Sequence, residues 1–288
     1  MTLAVTAATG GLGRQTLDAL LRRVPASELV AIARRPEALA DLAALGVEVR
    51  GASYDDPDAL RAAFTGVDRL LFISGSEVGR RVVQHGNVID AAKAAGVGFV
   101  AYTSILRADT TSLLLAAEHR ATEEALAASG LTYALLRNGW YHENYLAHLP
   151  TYLANGVAGA AGDGLISGAA RADYAEAAAA VLTGTGHDGA VHELGGEAYT
   201  LTDLAATIST VTGQDVRYTN LTEEAYRDLL ISVGLPEPVA TVLADADRGI
   251  AAGELHVPGS DLATLIGREP VSLRAAVEAA VAGAAATV

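Results

Sequence analysis

Short apolar runs alternate with amphipathic stretches through the first half of the chain. Leu3–Thr6 is a strand-length apolar run, and Leu12–Arg23 carries Leu12, Leu17, Leu20 and Leu21 at helical spacing. The pattern repeats. Strands are predicted over Leu29–Ala33, Val47–Arg50, Arg69–Ser74, Gly98–Thr103 and Leu131–Arg137. Between them come helices over Pro36–Leu45, from Asp56-Pro57 to Phe64, over Val78–Ala95 and over Ser112–Ser129, three of them stopped by Gly46, Gly96 and Gly130. Strands separated by helices imply βαβ crossovers and a mostly parallel sheet covered on both faces.

The second half is less regular. Gly156–Gly168 is rich in Gly and Ala and predicts an ordered loop with a short strand. Helices are expected over Tyr174–Thr183, Leu201–Gly213 (capped by Thr200 or Thr202), Thr222–Val233, Pro238–Ala251 and Leu273–Ala282, with strands over Ala190–Leu194 and Asp215–Tyr218. The expected architecture is α/β: a Rossmann-type doubly wound parallel sheet with a smaller C-terminal α/β lobe. Residues 1–140, with returns from about 156–183, form the dinucleotide-binding core. Residues 184–288, with 141–155, form a lobe that caps the substrate.

Composition narrows the chemistry. The 288 residues include 34 acidic and 20 Lys or Arg side chains, a formal charge of −14, no Cys, and Lys93 as the one lysine. Lack of Cys removes disulfides, thiolate nucleophiles and iron–sulfur ligation. The acidic balance argues against nucleic acid or an anionic membrane as partner. No apolar run approaches the roughly 20 residues of a bilayer span, and no secretory signal opens the chain. A cytoplasmic monomer or homodimer is expected.

The first βα turn reads Thr6-Ala7-Ala8-Thr9-Gly10-Gly11-Leu12-Gly13. Gly10 and Gly13 are spaced as in a dinucleotide loop, where small residues bring backbone up to a pyrophosphate and the helix N-terminus supplies free N–H groups. Ala7 stands where such loops begin with Gly, so a negative φ is expected there. Beyond the second strand, where an NAD site places a carboxylate on the ribose, the chain has Arg34-Arg35 and no acid between Leu29 and Pro36. An Arg fork matches a 2′-phosphate, so NADPH is the expected cofactor, with NADH possible. Tyr54-Asp55 is placed to meet the adenine.

Ordinary short-chain dehydrogenases use Tyr-x-x-x-Lys, but Ile89 lies four residues before Lys93, so the motif is absent. Tyr133 and Arg137 share that spacing inside a predicted strand. The seven His residues show no metal-ligand spacing, and no metal is expected. The richest polar constellation is Arg137-Asn138-Gly139-Trp140-Tyr141-His142-Glu143-Asn144-Tyr145, beyond the sixth strand. Ser74-Gly75-Ser76 and Thr103-Ser104 follow strands four and five, so three strand ends converge where α/β sheets bind ligands.

At these residues the chain resembles the NmrA-like atypical short-chain dehydrogenases, above all their quinone-reducing members. The matching stretches include Ala8–Gly13, Ile73–Gly79, Asn87–Val97, Leu135–Tyr141 with Glu143–Tyr145, Gly159–Gly164 and Arg171–Tyr174. The resemblance implies NADPH held by Ala7, Thr9, Gly10, Gly11, Leu12 and Gly13, by Arg34, by Ser74, Gly75 and Ser76, by Asn138, Gly139 and Trp140, and by Arg171. It places Asn144 and Tyr141 beside a quinone or other small aromatic substrate. Hydride transfer to a quinone then needs only hydrogen-bond donors, Asn144 first, with Tyr141 and His119 as proton relays. A non-catalytic NADP(H)-binding redox sensor and a tailoring oxidoreductase of polycyclic aromatic quinones are the rival readings.

Overall fold

The computed structural model describes residues 1–285. In chain order the elements are β1 (Leu3–Val5), α1 (Gly11–Leu21), β2 (Leu29–Ala33), α2 (Ala40–Ala44), β3 (Glu48–Gly51), α3 (Pro57–Ala63), β4 (Arg69–Phe72), α4 (Arg81–Ala95), β5 (Phe99–Ile105), α5 (Leu114–Ser129) and β6 (Tyr133–Asn138). There follow α6 (His142–Leu146), α7 (Leu149–Asn155), β7 (Val157–Gly159), β8 (Ile166–Ser167), α8 (Arg171–Thr183), β9 (Val191–Leu194), β10 (Ala198–Tyr199), α9 (Leu201–Thr212), β11 (Tyr218–Asn220), α10 (Glu223–Ser232), α11 (Glu237–Ala251), α12 (Leu262–Ile266) and α13 (Leu273–Ala285).

Seven parallel strands form the central sheet in the order β3-β2-β1-β4-β5-β6-β9. Because strand side chains alternate, each strand feeds two cores. Leu3 and Val5 enter one with α1 and α8, whereas Ala4 enters the other with α3, α4 and α5. Phe99 and Ala101 divide from Val100 and Tyr102 in the same way. Four of the six alanines along α8, Ala175, Ala177, Ala178 and Ala179, are buried, so that it packs closely on α1. A third core gathers Ile105, Leu113, Tyr145, Val157, Tyr199, Ile208 and Ile250.

Arg137, at the end of β6, ties the strands together. Its Nε and Nη2 bracket Glu123 of α5 at 3.0 and 2.7 Å, and Nη1 reaches Asp109 and Glu193 at 2.9 Å. Ser104 of β5 donates to the same Glu123 at 2.6 Å. Arg137 and Glu123 are both buried.

The structure departs from the expected elements at several places. The fourth helix begins at Arg81, not Val78, because Gly79 holds φ +89° and cannot start a right-handed turn. The strand expected over Asp215–Tyr218 lies at Tyr218–Asn220, where it pairs in parallel with β7. The Gly/Ala-rich stretch holds two short strands, β7 and β8, and β8 pairs with β10. No helix of the described residues is long and apolar enough to cross a membrane.

Candidate functional site

The cleft opens at the carboxyl ends of β1, β2 and β4, where chain order reverses between β1 and β4 and α/β folds receive their ligands. It encloses about 520 Å³ and is lined by Ala7, Thr9, Gly10, Gly11, Leu12, Gly13, Arg34, Ser74, Gly75, Ser76, Tyr141 and Arg171, together with Ser53, Tyr54, Glu77, Arg81, Gln84 and Thr103.

The β1–α1 loop is built for an anion. Gly10 precedes α1 without capping it through a side chain, and no acid occupies the first turn. The N–H groups there and the helix dipole are left for a ligand. A Cβ on Gly13 would meet the Ala7 carbonyl oxygen at 2.5 Å and Ala8 Cα at 2.9 Å, so only glycine lets the helix approach its strand this closely. Arg171 lies over the same turn, since a Cβ on Gly11 would sit 2.9 Å from its Nη1. The cradle therefore fits a dinucleotide pyrophosphate. Ala7 corrects the expectation of a negative φ: it holds φ +49°, and its carbonyl accepts the Gly10 N–H at 2.9 Å. Loop geometry demands the left-handed conformation whatever the residue.

The turn Ser74–Gly75–Ser76 is strapped from behind. Ser74 N–H donates to Thr103 Oγ1 at 2.9 Å, Gly75 N–H to His85 Nε2 at 2.9 Å, and Arg81 Nε to the Gly75 carbonyl at 2.6 Å. Tyr54 fixes the neighbouring strand ends, its hydroxyl 2.6 Å from Thr6 Oγ1 and 2.7 Å from the Ile73 carbonyl. Asp55 does not line the cleft; it binds Arg80 at 2.7 Å.

Of the Asn138–Tyr145 constellation, the fold brings Tyr141 to the cleft. Its hydroxyl accepts from Asn138 Nδ2 at 3.2 Å, and burial pushes its pKa up, so it stays protonated. Its ring lies 5.1 Å from Tyr174 and 5.4 Å from the Arg171 guanidinium. Asn138, Gly139 and Trp140, expected against the cofactor, do not line the cleft. Asn138 instead donates its amide to Tyr141, which does. A Cβ on Gly139 would meet the Ser167 carbonyl at 2.5 Å, which makes that glycine a packing requirement. Trp140 joins the third core. Glu143 receives the Arg171 N–H on both oxygens at 3.0 Å and so caps α8.

Asn144 is exposed on α6, three residues beyond Tyr141, and is not among the lining residues. His119 is neither at the cleft nor at the surface. It is buried, with Nδ1 2.8 Å from Tyr102 Oη and Nε2 3.4 Å from Arg81 Nη1. Burial and the Arg81 charge push its pKa down to about 3. Arg81, Gln84 and Glu77 line the cleft and His85 holds Gly75 from behind it, none of them expected from the sequence; His85 and Arg81 recur one helical turn apart at the start of α4, the one pattern that could have drawn attention to them.

A doubly wound sheet whose switch point carries a glycine cradle, an open helix N-terminus and flanking arginines defines a dinucleotide-binding protein of the Rossmann class. The profile of a family described as NAD(P)H-binding matches residues 7–185. The chain is 53% identical over 273 residues, 94% of its length and 96% of the relative's, to quinone oxidoreductase 2 of Escherichia coli strain K12. It is 30% identical over 284 residues, 95% of the chain and 92% of the relative, to an NmrA-like family domain-containing oxidoreductase of Aspergillus flavus. The crystal structure of an Escherichia coli NADPH-dependent quinone oxidoreductase complexed with NADPH matches at a TM-score of 0.94 and 51% identity, covering 96% of this chain and 99% of that one. The chain belongs to the NAD(P)H-binding, NmrA-like family.

Proposed function

We propose that this protein is an NADPH-dependent quinone reductase. The observation that carries the reading is the 53% identity to quinone oxidoreductase 2, sustained over 94% of the chain. Bound NADPH supplies the hydride. The chain's part is to bind, orient and donate hydrogen bonds. Thr9 to Gly13 and Arg171 hold the pyrophosphate, Arg34 takes the 2′-phosphate, and the Ser74–Ser76 turn meets the nicotinamide ribose. Tyr141 receives a hydrogen bond from Asn138 and keeps its own proton for an acceptor in the cleft. Asn144, three residues on, offers an amide to the quinone oxygen. Reduction leaves charge on an oxygen far less basic than an alkoxide, so such donors suffice without a Tyr/Lys pair. His119 is neutral and touches the cleft only through Arg81, a fixed cation that cannot pass a proton, so its part is to position that guanidinium. Residues 141–155 and the second lobe cap the substrate.

The test is NADPH oxidation with p-benzoquinone. Turnover is expected; binding of NADPH with no turnover on any quinone of a panel would replace this reading by that of a redox sensor. In the same assay Asn144→Ala should lower kcat/KM by about 10²-fold, the scale of a lost oxyanion donor. Unchanged kcat/KM would remove Asn144 from the reaction.

A further inference from the structure

The stretch Leu29–Pro36 has no carboxylate, which leaves Arg34 alone at the ribose end of the sequence motif. The fold brings a carboxylate there from another loop. Glu77, between β4 and α4, lines the cleft, and its Oε1 lies 3.1 Å from Arg34 Nη1. Its second oxygen is held from behind: Arg80 Nη1 donates to Oε2 at 3.1 Å and Gln84 Nε2 at 3.3 Å. Arg80 and Gln84 are themselves anchored on Asp55, at 2.7 and 3.2 Å. Glu77 is thus a braced carboxylate in a row of alternating charge, Arg34–Glu77–Arg80–Asp55, and one of its oxygens faces the guanidinium expected to receive a phosphate.

The two cofactors meet that pair differently. A 2′-phosphate is an anion that must take Arg34 from Glu77 and remain beside the carboxylate. An unphosphorylated ribose presents two neutral hydroxyls, which a carboxylate accepts well. We propose that Glu77 determines cofactor specificity, accepting the ribose hydroxyls of NADH and competing with NADPH for Arg34. The proposal rests on the dinucleotide-binding reading above but needs no quinone chemistry.

The test is fluorescence titration of NADPH and NADH against the whole protein, parent and Glu77→Gln, with thermal shift for each cofactor as a second readout. The glutamine keeps the shape and removes the charge. The pair is solvent-exposed, so each effect is modest: about fivefold tighter NADPH and about fivefold weaker NADH, shifting the ratio of dissociation constants about 25-fold toward NADPH. Arg34→Ala should move the ratio the other way. An unchanged ratio, a shift toward NADH, or equal weakening of both cofactors through a disturbed loop overturns the role of Glu77. If the parent binds neither dinucleotide, the functional reading falls with it. If it binds both and the ratio ignores Glu77, only this proposal falls.

Discussion

His85 accepts the backbone N–H of Gly75 on Nε2, and that contact fixes the tautomer of a buried ring. With Nε2 an acceptor, Nδ1 carries the proton and donates to Thr122 Oγ1 at 2.8 Å, which passes its own proton to the Glu118 carbonyl at 2.8 Å. The turn at the cleft is thereby latched to α5 through α4. Replacing the ring by phenylalanine leaves the Gly75 N–H stranded, at a cost of about 1–3 kcal/mol. His85→Phe should therefore weaken NADPH binding by about tenfold in a fluorescence titration.

Acid should loosen the same region. Burial and the neighbouring Arg81 charge push both His85 and His119 down to about 3, from an ordinary value near 6.5. Below pH 6.5 the unfolded chain takes up protons that the folded chain refuses, so stability falls as pH drops from about 6.5 to 3. The slope is about 1.4 kcal/mol per pH unit for each ring. Chemical denaturation at pH 7 and pH 4.5 measures it, and His85→Phe should flatten the profile.

Asp247 pulls in the opposite direction. It is buried on α11, accepts the Ala160 N–H at 2.7 Å, and burial raises its pKa to about 6. Its protonated form is favoured by the fold, so its contribution is full below about pH 3.8 and is lost as pH rises through 6. Asp247→Asn keeps an acceptor for Ala160 and removes the buried charge. The variant should be about 1–2 kcal/mol more stable than the parent at pH 7.5 and indistinguishable at pH 3.5, as read from urea midpoints.

Ala7 carries a conformation that costs an L-residue about 1–2 kcal/mol. Ala7→Gly should raise stability by about 1 kcal/mol, and Ala7→Val should lower it. Thermal melts of the two variants provide the comparison.

Arg137 is the buried hub of β5, β6, β9 and α5. Truncating it leaves Glu123 buried without its partner, so Arg137→Ala should cost about 3–5 kcal/mol in equilibrium unfolding. Glu193 and Asp109 are more exposed and recover water instead.

Much of the core was legible because its signals are local. Leu29–Ala33 matches its strand to the residue, and Asp56 caps its helix on Ala59 N–H at 3.0 Å, as the Asp-Pro pair implied. The glycine loop was legible because its chemistry is the backbone's own. The second half of the chain obeyed partners that no window of sequence contains: β11 sits where β7 can pair with it. Helices α6 and α7 went unread although Pro150 stands in the first turn of the latter. At the cleft, Glu77 and His85 belong to the site through contacts with Arg34 and Gly75, 43 and 10 residues away. Only the folded chain reveals such contacts.

Lys93 has a practical consequence. It is exposed on the last turn of α4, 12 residues and so about 18 Å of helix from Arg81 at the cleft. Apart from the terminal amine of Met1, it is the chain's sole primary amine. Amine-directed coupling will therefore attach a dye, a bead or an electrode at the far end of that helix or at Met1, by the amino end of β1, and both points leave the nucleotide entrance clear.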